Sequence, residues 1–211
     1  MNLTLTDRDF DLLETLTLRV RILTLLQCAQ LGWPQLRNLA APERRMRRLV
    51  DAGLIESQVI NALPPTFDEE PLVAWQPDTA EPDAVEISQS ARQRAGIAAR
   101  PTTVYVASAR GACLFGGSAR GLPSMERRER ELRLAAVYVR YRRQRPQEAA
   151  HWVGNAAVPK AGDGLKDFDA SLHHPRGWIL RVIHCAGRYA PRQVERFHDY
   201  CFQHDIPYEL W

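Results

Sequence analysis

Apolar side chains near the start of the chain fall at Phe10, Leu13, Leu16 and Val20, steps of three, three and four that share one face of a helix. Thr6-Asp7-Arg8-Asp9 precedes them, a hydroxyl N-cap with acids in the first turn, where they face the positive end of the helix dipole. A first helix is predicted there. Leu23 to Gly32 repeats the pattern over two turns, with Thr24 as cap and Gly32 as stop. Trp33-Pro34 interrupts the chain. A third helix is predicted from about Pro42 through Met46, Leu49 and Val50 to Gly53, after which Leu54-Ile55-Glu56-Ser57 turns extended.

Further along, strands are predicted at Leu54–Ile60 and Pro71–Gln76, joined by the acidic, Pro-rich segment Leu63-Pro64-Pro65-Thr66-Phe67-Asp68-Glu69-Glu70. Asp83–Ala95 has a helical pattern, Thr102–Ala107 an extended one, and Gly116-Gly117 marks a turn. From Ser124 a capped helix runs through Leu132, Leu134, Val137 and Tyr141 toward Arg145-Pro146. Three extended runs follow at Gln147–Gly154, Asp167–Leu172 and Trp178–Cys185, the last two joined by His173-His174-Pro175-Arg176-Gly177. Pro191 then opens a helix from Arg192 to Gln203, and Ile206–Trp211 reads as a closing strand.

Long helix, short helix, Arg-rich helix and strand form the order of a winged helix-turn-helix, with the acidic hairpin as its candidate wing. The predicted fold is therefore α+β, an N-terminal winged helix-turn-helix followed by a small α/β domain. Residues 1–115 and 116–211 are the expected domains, with a junction within Arg110–Met125. At 211 residues the chain suits two modules and excludes a large barrel or a repeat solenoid.

Composition adds little as a sum and more as a distribution. The net charge is only +3, yet arginine supplies all the basic residues except Lys160 and Lys166. Arg44, Arg45, Arg47 and Arg48 lie in the third helix, and a second cluster spans Arg127 and Arg128 to Arg142 and Arg143. From Glu56 to Ile87 there are eight acids and no lysine or arginine. The small net charge is a cancellation of blocks, which leaves room for local electropositive surfaces. In a winged helix the third helix enters the major groove of double-stranded DNA, so its four arginines are the expected contacts with base edges and phosphates, and the second cluster would add phosphate contacts. The competing reading is a solvated amphipathic helix whose arginines pair with Glu43 and Asp51. The acidity of the candidate wing argues against its own contact with phosphate.

Other chemistry has weaker support. Cys28, Cys113, Cys185 and Cys201 are widely spaced without a C-x-x-C pair, as expected of reduced thiols. His198-x-x-Cys201-x-x-His204 has zinc-ligand residue types, but spacings of three drift around a helix; Cys201 is expected in the core beside Phe197 and the histidines at the surface. There is no G-x-S-x-G elbow and no phosphate-binding G-x-x-x-x-G-K-[ST] loop. No run approaches the ~18 apolar residues of a membrane span, and Met-Asn-Leu-Thr-Leu-Thr-Asp lacks a basic region followed by an apolar core, so a cytoplasmic protein without a membrane partner is expected.

Five patterns in this order, Asp7-x-Asp9, Arg48-Leu49-x-x-x-Gly53-Leu54-Ile55, Trp152-x-Gly154, Phe168-Asp169-Ala170 and Tyr208-Glu209-Leu210-Trp211, resemble the replication-relaxation protein family. The resemblance implies a winged helix followed by a domain similar to the PD-(D/E)xK nuclease fold, in a DNA-binding protein of bacterial plasmids or integrated mobile elements. An active nuclease of that fold needs an aspartate on one strand and Glu-x-Lys on the next, because carboxylates hold Mg²⁺ and the lysine steadies the attacking water. Asp169 supplies the first; His184 stands where the glutamate would be, Ala186 where the lysine would be, and Asn155 replaces the acid that would follow Trp152-x-Gly. No acid occurs from Leu172 to Tyr189, so a register error of one or two residues does not restore the site.

These observations predict a non-enzymatic DNA-binding protein without cofactor or metal, acting in plasmid replication or relaxation or in transcriptional control. Its C-terminal domain would serve homodimerisation or a protein partner. Two alternatives stay open, a divergent metal-dependent nuclease using Asp169 with His184 or Glu195, and an adaptor whose helix-turn-helix contacts protein.

Overall fold

A computed structural model describes residues 3–35, 38–63, 69–94, 98–154, 168–185 and 189–211. In chain order its elements are α1 (Asp7–Glu14), which passes into a π-helical turn (Thr15–Arg19), then β1 (Leu23–Thr24), α2 (Leu25–Gly32), α3 (Ala40–Asp51), β2 (Ile55–Ala62), β3 (Val73–Trp75), α4 (Ala84–Arg94) and β4 (Arg100–Ala107). The chain continues with α5 (Ala109–Cys113), α6 (Met125–Gln144), α7 (Pro146–Ala149), β5 (Trp152–Gly154), β6 (Ala170–His173), β7 (Ile179–His184), α8 (Pro191–Gln203) and β8 (Tyr208–Leu210). The protein is mixed α+β.

Two compact units result, Met1–Phe67 with Ala99–Pro146 and Asp68–Ala98 with Gln147–Trp211. This corrects the sequential division at 115/116, and the reason is strand pairing. β2 pairs antiparallel with β4 from Ile55↔Ala107 to Ala62↔Arg100, and the intervening β3 pairs with β8 instead. The expected hairpin between Leu54–Ile60 and Pro71–Gln76 does not form. Segment 68–98 is thus an insertion between two paired strands of the first unit; α6, expected beyond the junction, belongs to that first unit, as does α5, for which the sequence carried no expectation.

Local chemistry sets the helices of the first unit. The Thr24 hydroxyl accepts from the Gln27 amide at 3.2 Å while the Gln27 side-chain carbonyl accepts from the Thr24 amide at 2.8 Å, a reciprocal cap at the start of α2. The same buried Gln27 donates to the Leu132 carbonyl at 3.0 Å, which ties α2 to α6. Leu13, Leu16 and Val20 of the expected stripe are buried along with Asp9 and Leu12, while Phe10 departs from it and is 44% exposed. Gly53 ends α3 with φ +69°, a conformation that costs glycine little. β1, β4 and β2 form one sheet in that order, and its residues Val104, Val106, Ile60 and Ala62 pack with Ile22 and Leu132. Gly111 lets α5 close on the chain after α3, since a Cβ there would lie 2.0 Å from the Leu54 carbonyl oxygen.

The second unit has strand order β3-β8-β7-β6-β5. β5, β6 and β7 form an antiparallel meander, α8 crosses over, and β8 returns parallel to β7, because a parallel neighbour needs a crossover connection. Gln147–Gly154 is only partly extended: Pro146 opens the short helix α7, and β5 begins at Trp152. Val182, Tyr208 and Leu210 of the sheet pack with Ile87 and Ala91 of α4, Val194 and Phe197 of α8, and Trp75. The buried Glu209 carboxylate accepts from Arg181 at 3.0 Å and from the Trp211 indole at 3.0 Å. No helix among the described residues is long and apolar enough to cross a membrane.

Candidate nucleic-acid interface

α3 buries Pro42, Met46 and Leu49, a helical stripe that turns Glu43, Arg44, Arg47 and Arg48 outward. The four arginines therefore separate into three kinds. Arg47 pairs with Glu43 at 3.2 Å, an exposed i, i+4 contact worth little. Arg44 and Arg48 are exposed and have no acidic partner among the described residues. Arg45 leaves the outward row: its guanidinium Nε donates to Asp9 at 2.8 Å, a second nitrogen donates to the other Asp9 oxygen, and a further bond reaches the Thr4 carbonyl. Arg45 is thus a strut between α3 and α1, an engagement that counts against its expected role as a DNA contact.

Asp9, read in the sequence as a first-turn acid facing the helix dipole, organises this corner. Its carboxylate also accepts from the Thr6 amide at 2.7 Å and the Thr6 hydroxyl at 2.6 Å. Burial pushes its pKa up, but the bonds from Arg45 and Thr6 outweigh burial and hold it below the ordinary aspartate value. Arg8 and Trp33 were missed; the Arg8 guanidinium lies over the Trp33 ring at 4.6 Å from its centroid. An Arg in the first turn of a helix and a Trp after a stop glycine carry no joint signal in sequence.

The second arginine cluster also divides. Arg142 makes a two-pronged bond to Asp11 at 2.9 and 3.0 Å and reaches the Tyr138 hydroxyl at 3.2 Å. Its Asp11 bond raises its pKa despite the opposing effect of burial. Arg142 holds α6 to α1, and this engagement counts against its expected role as a phosphate contact. Arg143 is exposed and donates to the Gln30 side chain at 3.3 Å, Arg128 donates to the Pro123 carbonyl at 3.2 Å, and Arg127 is exposed.

In the second unit, Asp169 and His184 come together as their places before β6 and at the end of β7 imply. Asp169 Oδ2 accepts from the Cys185 amide at 2.7 Å and lies 3.3 Å from His184 Nδ1, while the His184 ring stacks on Phe197 at 4.9 Å. Asn155 and Ala186, the other members of the degenerate nuclease site, lie outside the described residues. Cys201 is in the core beside Phe197, as expected. His198 is buried, not at the surface, and its Nδ1 lies 3.1 Å from the Tyr208 hydroxyl; His204 is exposed. Among the described residues no group of three or more His, Cys, Asp or Glu side chains is placed to hold a metal ion.

No protein-family model, no curated protein and no solved structure matches the chain.

Proposed function

We propose that the chain is a non-enzymatic DNA-binding protein, with its first unit a winged helix that docks α3 in the major groove of duplex DNA. The observation that carries this reading is the outward face of α3, where Arg44 and Arg48 are exposed without acidic partners while the opposite face is anchored in the core. The antiparallel β2–β4 pair of the same unit supports the reading, since α1, α2 and α3 are followed by two paired strands as in that motif, here with segment 68–98 inserted between them. The second unit we read as a nuclease-like shell used for dimerisation or partner binding. Its strand–strand–strand–helix–strand order suits the PD-(D/E)xK arrangement. Its Asp169 carboxylate is engaged by a backbone amide and by a histidine in place of a second acid. From the resemblance of its sequence patterns to replication-relaxation proteins, we read it as a protein of a bacterial mobile element, acting in replication, relaxation or transcriptional control.

Fluorescence anisotropy with a labelled duplex tests the reading. Affinity is expected to fall steeply with salt, by roughly 0.9 in log–log slope for each phosphate neutralised. Replacing Arg44, Arg47 and Arg48 together by alanine should weaken binding about 100-fold or more; unchanged affinity in that variant overturns the assignment. Arg45 is left intact because its loss would damage the fold.

A further inference from the structure

We propose that the pocket between α1 and α3 is a binding site for one phosphate group. The pocket encloses about 240 Å³ among Arg8, Asp9, Trp33, Arg44, Arg45 and Arg48. Its only carboxylate among these residues is spent internally, because Asp9 is saturated by Arg45 and by two bonds from Thr6. Arg8, Arg44 and Arg48 remain around the cavity without acidic partners among the described residues, an arrangement of like charges that an anion relieves.

Arg8 is held in place by the shape of its surroundings. Gly32, the last residue of α2, leaves room for the Arg8 stem, since a Cβ there would lie 2.9 Å from both its Cγ and its Cδ. The stem delivers the guanidinium to the face of Trp33, whose ring supports a weakly hydrated cation better than water-exposed backbone does. Three arginines lining one recess suit a tetrahedral oxyanion, with several acceptor oxygens and more than one charge. The volume lies below the ~300–1,000 Å³ of pockets that enclose drug-sized ligands, so the site takes a group and not a whole nucleoside. The same oxygens are offered by a terminal phosphomonoester and by a backbone phosphodiester; the second source rests on the DNA-binding reading above.

The test uses the full chain, with inorganic phosphate followed by calorimetry and with a blunt duplex carrying either 5′-phosphate or 5′-hydroxyl ends followed by anisotropy. Inorganic phosphate should bind once per chain, and Arg8→Gln or Arg44→Gln should weaken it about 10-fold, the loss of one charge-assisted bond, while Arg192→Gln, at an exposed position of the second unit, leaves it unchanged. Gly32→Ala, which displaces the Arg8 stem without removing a charge, should weaken it in the same direction. A preference for 5′-phosphate ends that vanishes in Arg8→Gln assigns the site to terminal phosphates. Equal affinity for both ends, with a salt slope reduced by about 0.9 in Arg8→Gln, assigns it to the backbone. Phosphate binding that survives Arg8→Gln and Arg44→Gln overturns the site, as does a wild-type chain that neither binds inorganic phosphate nor loses salt slope in Arg8→Gln; duplex binding abolished only by the α3 triple variant would then leave the DNA reading standing. Phosphate binding at the site without duplex affinity at low salt supports the pocket and overturns the DNA reading instead.

Discussion

Arg45 on α3 and Asp9 on α1 form a two-pronged ion pair in which the carboxylate is fully buried and the guanidinium side chain is 18% exposed. A pair of this kind is inexpensive while whole and costly when half is removed, because the remaining charge keeps its desolvation penalty without its partner. The pair therefore separates the arginines of α3 by what their loss does.

Arg45→Ala is expected to destabilise the chain by about 2–3 kcal/mol in urea denaturation, somewhat less than the ~3–5 kcal/mol of a broken, fully buried pair because Arg45 is partly solvated. Arg44→Ala and Arg48→Ala, at exposed positions, should stay within about 0.5 kcal/mol of the parent. Equal stability of all three variants would contradict the strut.

The depressed Asp9 pKa makes this contribution depend on pH. With the folded value lowered from 3.8, the ionised carboxylate's stabilisation is fully present above pH 3.8 and is lost as pH falls from there through the folded value. Denaturation curves from pH 7 to pH 2 should show an acid-side loss in the parent that shrinks in Asp9→Asn. A parallel loss in both proteins would assign the acid sensitivity elsewhere.

Gly111→Ala should destabilise by roughly 1–3 kcal/mol or more, since its Cβ would meet the Leu54 carbonyl oxygen at 2.0 Å and backbone must shift to relieve the clash. Thermal melting measures the effect. Leu54 and Gly111 lie on either side of the inserted segment, so the loss would also report that β2 and β4 close on each other.

Asp169 has a structural task that does not require a metal. Asp169→Ala leaves the buried Cys185 amide without its 2.7 Å acceptor and should cost about 1–3 kcal/mol, whereas Asp169→Asn retains an oxygen and should cost less. Plasmid incubated with the parent protein and Mg²⁺ or Mn²⁺ should remain uncut. Cleavage that disappears in Asp169→Asn would replace the non-enzymatic reading with the nuclease one.

Much of the helical framework is legible in local sequence because its causes are local. Thr24 and Gln27 cap each other across three residues, Gly53 relieves the end of α3, and Met46 and Leu49 define its buried stripe. α6 and α8 follow from the same periodicity, with Pro191 in the first turn of α8; Ser124 stands at the N-cap of α6 without a side-chain capping bond. The outward placement of Arg44, Arg47 and Arg48 follows too, because a buried stripe leaves only the opposite face. The turn joining β6 and β7 is equally local, closed by the Gly177 and Trp178 bonds with His174.

What local sequence leaves open is pairing across distance. Ile55–Ala62 carries no mark that distinguishes Val73–Trp75 from Arg100–Ala107 as its neighbour, since every strand offers the same amides and carbonyls and only the packing of Val104 and Val106 with Ile60 selects one. The same holds for charge. The spacing of Arg44, Arg45, Arg47 and Arg48 is a property of the chain, whereas the neutralisation of Arg45 by Asp9, of Arg142 by Asp11, and the gathering of Arg8 with Arg44 and Arg48 around one recess exist only once α1 lies against α3 and α6. Periodicity determines which face of a helix is apolar, but an ion pair depends on a distance of a few ångströms between segments far apart in sequence, and only tertiary packing sets that distance.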